Sequence, residues 1–200
     1  MTGRPGCLIA FEGLDQSGKE TQAKRLLARF TSAGRLAEMV AFPDYRTPIG
    51  KEIERALAGE RDYRADVMQL LYVANRYEWK PAIERHMAGG GIVIADRYLA
   101  SSVAYGEAHG LDPAWLFDIQ RFLPQPDLTL MLDIAPGTAA QRKQANRDRY
   151  ERDLDMLGRV RESYQRQARG PGWVRVRGEQ PPDAVAQDVA DAVRRELALL

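Results

Sequence analysis

The chain has 200 residues, 44% hydrophobic and 28% charged, with a net charge of +1. That length and apolar share suit one compact domain spanning 1–200. The near balance of charge argues against a generic nucleic-acid or membrane-surface binder, which shows a one-signed excess. With one cysteine (Cys7, read as a small core residue), no signal-peptide pattern and no apolar run near the ~18 residues of a membrane span, the chain is expected to be soluble and cytoplasmic.

In chain order, "CLIAFE" (7–12) is a short apolar run between glycines and reads as a buried strand. Residues 19–33 carry Leu26, Leu27 and Phe30 at helical spacing and stop before Gly34. "LAEMVAF" (36–42) reads as a second strand, ended by Pro43. "IGKEIERALAG" and 65–88 read as helices, with a kink predicted at Pro81. "GIVIAD" (91–96) is the third strand; helices follow over 98–108 and 113–122. "DLTLMLDI" (127–134) and "WVRVR" (173–177) complete five strands, and helical patterns fill 137–146, 152–168 and 182–199. Strands alternating with helices imply an α/β fold, a parallel sheet covered on both faces. Ligands of such a fold gather at the carboxyl ends of the strands. Segments 13–21, 43–48 and 96–98 and the segment after the fourth strand therefore share one rim.

The first of these, "GLDQSGK" (13–19), fits G-x-x-x-x-G-K between a strand and a helix. Gly13 and Gly18 let the backbone turn its N–H groups onto phosphate oxygens, and the helix N-terminus adds partial positive charge. Asp15, Gln16, Ser17 and Thr21 belong to the same nucleotide-binding stretch, and Lys19 offers a cation to the outer phosphates. Glu20 stands where a small hydroxyl residue usually holds Mg²⁺. Three readings stay open: it ligates the metal directly, acts through water, or turns away and merely suits the first helical turn.

"FEGLDQSGKETQ", "FPDYRTPIG", "LYVANRYEW", "DRYLASSVAYG", "PDLTLMLDI" and "DRYE" follow one another in the order and spacing of thymidylate kinases, which the chain resembles from first strand to last helix. The resemblance implies a three-layer P-loop kinase fold with a five-stranded parallel sheet flanked by helices. It also implies transfer of the γ-phosphoryl of ATP to dTMP with Mg²⁺, and a homodimer. Neither nucleic acid nor membrane is an expected partner.

Under that resemblance Arg46 holds the dTMP phosphate, and a guanidinium can do so bidentately. Phe42 and Tyr45 line the same pocket. Tyr72 and Arg76, four apart on a helix, share a face. The ring can stack on thymine, and the arginine can donate to O4, where cytosine presents a donor. Asp96 ends the third strand and can hold Mg²⁺ or its waters, or cap the next helix. Arg97 can bridge donor and acceptor phosphates. Ser101 is assigned to the base and Tyr105 to the deoxyribose wall, and Asp15 to the acceptor's sugar and phosphate. His86 and His109 are expected on the surface, without a role.

The run "QRKQANRDRYER" (141–152) is dense in cations and reads as a lid. In the family a catalytic arginine lies either in the phosphate loop or in the lid. Gln16 carries no charge, which points to the lid, with Arg142, Arg147 and Arg149 as candidates. Arg142 is also placed against adenine, and Tyr150 toward the acceptor. An acceptor other than dTMP, such as dUMP, and a silent nucleotide binder remain the alternatives.

Overall fold

A computed structural model of the chain describes residues 6–142 and 154–199. Five strands, β1 (Cys7–Glu12), β2 (Ala37–Ala41), β3 (Ile92–Asp96), β4 (Leu128–Asp133) and β5 (Trp173–Arg177), form one sheet in the order β2-β3-β1-β4-β5. Every pairing is parallel; Ile9 on β1 stands opposite Ile94 on one side and Leu128 on the other. Each predicted strand is present, within a residue or so at either end.

Alternation along β1 divides the core. Cys7, Ile9 and Phe11 pack with Leu26 and Phe30 of α1 (Lys19–Ser32) and with Val189 and Val193 of α8 (Pro182–Leu197). Leu8 and Ala10 face the other way, against Ile83 of α3 (Ala65–Ala88) and Tyr98. Of the three inner strands, β1 and β4 are buried at all positions and β3 at all but its last, as a sheet covered on two faces requires. Burial pushes the Cys7 thiol up to about 11, helped by Asp127, so Cys7 is an inert core residue.

Between strands lie α2 (Pro48–Leu57), α4 (Leu99–Ala108), α5 (Pro113–Asp118), α6 (Pro136–Arg142) and α7 (Leu154–Gln167). Thr47 caps α2, its Oγ1 accepting from Gly50 N at 3.0 Å. Helix α3 runs through Pro81 as one element, with no break there. Helix α5 stops four residues before the predicted 122. Gln120 N and Arg121 N bond to carbonyls three residues back, so tight turns replace the helix ahead of Pro124. Part of the predicted 137–146 helix lies outside the described residues. Among the described residues no helix is long and apolar enough to cross a membrane.

Candidate active site

The phosphate loop joins β1 to α1. Gly13 has φ 136° and Gly18 φ 93°, conformations that favour glycine. A Cβ on Gly13 would lie 2.4 Å from Leu132 O, so the loop also packs too closely for a side chain there. Lys19 is buried and folds back over the loop, Nζ donating to Leu14 O at 2.7 Å and more weakly to Ser17 Oγ at 3.5 Å. Burial, aided by Arg97, lowers its ammonium to about 8 against the pull of Asp15, Asp96 and Glu12. Gln16 and Thr21 are exposed; Ser17 is buried beneath the loop.

Arg97 follows β3 with φ 63°, and its guanidinium ties the loop to the cleft beyond. Nη2 pairs with Asp15, and Nη1 donates to Gly13 O (3.2 Å), Ser101 Oγ (3.2 Å) and Tyr164 Oη (3.3 Å). Tyr105 donates to Asp15 Oδ2 at 3.1 Å, and the Arg97 guanidinium lies 5.3 Å from its ring. Burial alone would raise the Asp15 carboxyl; Arg97 and Lys19 outweigh it and hold it well below the usual carboxylate range. Burial likewise opposes charge on Arg97, and Asp15 outweighs it.

Asp96 is different. Burial raises its carboxyl despite Lys19 and Arg97, and its Oδ1 is buried with no hydrogen-bond partner. An orphaned carboxylate oxygen beside the phosphate loop fits a hard divalent cation such as Mg²⁺. Among the described residues no group of three or more His, Cys, Asp or Glu side chains could hold a metal alone. Phosphate and water oxygens would therefore complete the set. Glu20 is not drawn toward Asp96. Its Oε1 accepts from Lys24 Nζ at 2.5 Å on the exposed face of α1.

Beyond Arg97 opens a cleft. Phe42, Tyr45, Tyr72, Arg76, Ser101 and Tyr105 all line it, as does Asp15. Arg76 is buried, and burial lowers its guanidinium below the ordinary value. Nη1 donates to Ser102 Oγ at 2.7 Å, while Nε has no partner.

Arg46 is paired with a neighbouring carboxylate. Its side chain is 80% exposed and lies outside the cleft lining, gripping Asp44 through Nε (2.8 Å) and Nη2 (2.9 Å). Asp44 is fixed in turn by Trp79 Nε1 at 3.0 Å, so the pair points Arg46 away, and Tyr45 occupies the lining. Arg142 donates to Gln16 O (3.1 Å) and Gly178 O (3.0 Å), bridging the phosphate loop and the β5–α8 turn. Arg147, Arg149 and Tyr150 lie outside the described residues. His109 is exposed at the cleft. His86 is not a surface residue: its side chain is 13% exposed and lies 3.4 Å from Glu38.

Sequence reasoning missed Glu12. Fully buried at the end of β1, it accepts from Tyr98 N (2.8 Å), Ser101 N (3.3 Å), Ser101 Oγ (2.6 Å) and Tyr164 Oη (3.1 Å). The signal was an acid closing an otherwise apolar strand. Asn75 was also missed. Its Oδ1 accepts from Asp44 N at 2.8 Å and its Nδ2 donates to Thr47 Oγ1 at 2.8 Å and Glu78 Oε2 at 2.9 Å.

Known proteins agree with this geometry. The thymidylate kinase family model matches residues 11–189. The thymidylate kinase of Schizosaccharomyces pombe is 40% identical over 161 residues, covering 80% of this chain and 76% of that protein. The human thymidylate kinase is 36% identical over 76% of this chain and 72% of its own. A probable thymidylate kinase of Pyrobaculum calidifontis is 37% identical over 96% of this chain and 98% of its own. A solved thymidylate kinase structure from Candida albicans superposes with a TM-score of 0.87 at 28% identity, covering 98% of this chain and 94% of that one. The chain belongs to the thymidylate kinase family.

Proposed function

We propose that the chain, a phosphotransferase acting on dTMP, works by the following division of labour. The observation that carries it is Arg97, which reaches the phosphate-loop backbone at Gly13 O while lining the cleft that holds Tyr72 and Arg76. ATP phosphates lie in the loop from Gly13 to Thr21, and Lys19 leaves Leu14 O to meet the outer ones. The dTMP base stacks on Tyr72 and presents O4 to Arg76, with Tyr105 against the deoxyribose. Asp15 and Arg97 receive the sugar and phosphate end, and Ser101 steadies Arg97.

The attacking oxygen belongs to the dTMP phosphate and is anionic at neutral pH, so no side chain need act as a covalent nucleophile. Rate comes from alignment and from cations placed where charge moves. Lys19 and Arg97 provide these, with Arg142, Arg147 and Arg149 of the lid segment 141–152 closing over the phosphates. Asp96 and phosphate oxygens would hold Mg²⁺, which would supply positive charge beside the transferring phosphoryl group. Glu20, paired with Lys24, is assigned no metal contact. The single domain is further read as a cytoplasmic homodimer.

The test is ADP release from Mg·ATP with dTMP, dUMP and dCMP. Strong dTMP-dependent turnover is expected. Binding of ATP and dTMP without turnover would overturn the reading and make the chain a silent nucleotide binder.

A further inference from the structure

Two polar atoms in the cleft lining are buried and unsatisfied: Nε of Arg76, a donor, and Oε1 of Gln69, an acceptor. Both side chains are 3% exposed. They stand seven apart on α3 with Tyr72 between them, so all three share one helix face. Leaving a buried donor or acceptor unmet is costly, so such atoms call for a partner that arrives with the ligand. A thymine or uracil ring offers an acceptor, O4, and beside it a donor, N3–H. The unmet pair on the protein is the complement of that edge.

We infer that Gln69 is a base-reading residue, its amide oxygen accepting N3–H of the pyrimidine while Arg76 donates to O4. This rests on the dTMP reading above. The terminal amide torsion of glutamine is broad, so Oε1 turns to the ring without moving the helix. Tyr72, lying between, supplies the face on which the ring rests. The arrangement selects an imide edge as a class, since cytosine sets a donor against Arg76.

The experiment compares dTMP with its N3-methyl analogue, in which a methyl replaces the N3 hydrogen and O4 stays a carbonyl, on the wild type, Gln69→Ser and Gln69→Ala, which make room for the methyl. Thermal unfolding checks that each variant is folded. The wild type should prefer dTMP by about 10- to 100-fold in kcat/KM, mostly through KM. Whichever variant folds should lose a similar factor on dTMP and prefer it over the analogue by less than about threefold. A folded variant that keeps the wild-type preference overturns the Gln69 assignment, as does a wild type that treats the two alike. A wild type that turns over no dTMP overturns the functional reading, and this inference with it.

Discussion

Glu12→Ala tests the buried carboxylate that organises the site from beneath. Removing it leaves four donors without their acceptor: Tyr98 N, Ser101 N, Ser101 Oγ and Tyr164 Oη. The two hydroxyls are 2.8 Å apart and can satisfy one another. The two backbone N–H groups open α4 and have no such recourse. At about 1–3 kcal/mol for each unmet buried group, the loss is about 2–6 kcal/mol. Glu12→Gln keeps one acceptor for the N–H groups and should cost about 1–2 kcal/mol. The urea midpoint reads both values. Activity should fall further than stability explains, because Ser101 and Tyr164 are the groups that receive Arg97 Nη1. Turnover at saturating dTMP, measured well below the unfolding transition, separates the two effects. A Glu12→Ala protein with the wild-type midpoint, or one that is destabilised yet turns over normally, refutes the reasoning.

Four further outcomes are expected. Arg97→Ala should lower kcat by about 10²–10³-fold, the scale of a lost transition-state cation or donor, in a coupled ADP assay; near-normal turnover would remove Arg97 from the chemistry. Asp15 is held below its ordinary value of 3.8, so its contribution to stability is present above that pH and is lost as pH falls below it. Urea midpoints of Asp15→Asn should therefore fall less steeply than the wild type's on the acid side of pH 4; parallel curves would contradict the assignment. Lys19 is lowered to about 8, so in the nucleotide-free protein it must regain a proton to meet phosphate above that pH. ATP affinity by calorimetry should weaken by up to about tenfold per pH unit above 8, and a flat profile to pH 9.5 would rule this out. Arg46→Ala should raise the KM for dTMP by about tenfold or more, the exposed guanidinium exchanging Asp44 for the dTMP phosphate; a KM changed by less than about threefold would remove Arg46 from the acceptor site.

The elements were legible because each carries its own period. Buried strands such as "CLIAFE" and "LTLMLD" are continuous apolar runs, and α1 repeats its apolar residues at helical spacing. The end of α5 was not legible, since tight turns there use the same residues as a helix until Pro124 intervenes. Within the site, motif and spacing single out Lys19, Tyr72, Arg76, Asp96 and Arg97, which the fold brings to the phosphate loop and the cleft beside it. The Arg46–Asp44 pair was not legible, because adjacent residues in a loop point in different directions and the pairing depends on Trp79, distant in sequence. Glu12, Gln69 and Asn75 were missed because a buried polar residue announces itself by what surrounds it, not by its neighbours in sequence.

Asn75 has a mechanical meaning. Its amide holds Asp44 and Thr47 of the loop after β2 while belonging to α3, the helix that carries Gln69, Tyr72 and Arg76. The wall of the cleft at Tyr45 and its floor at Tyr72 are thus riveted together and travel as one plate.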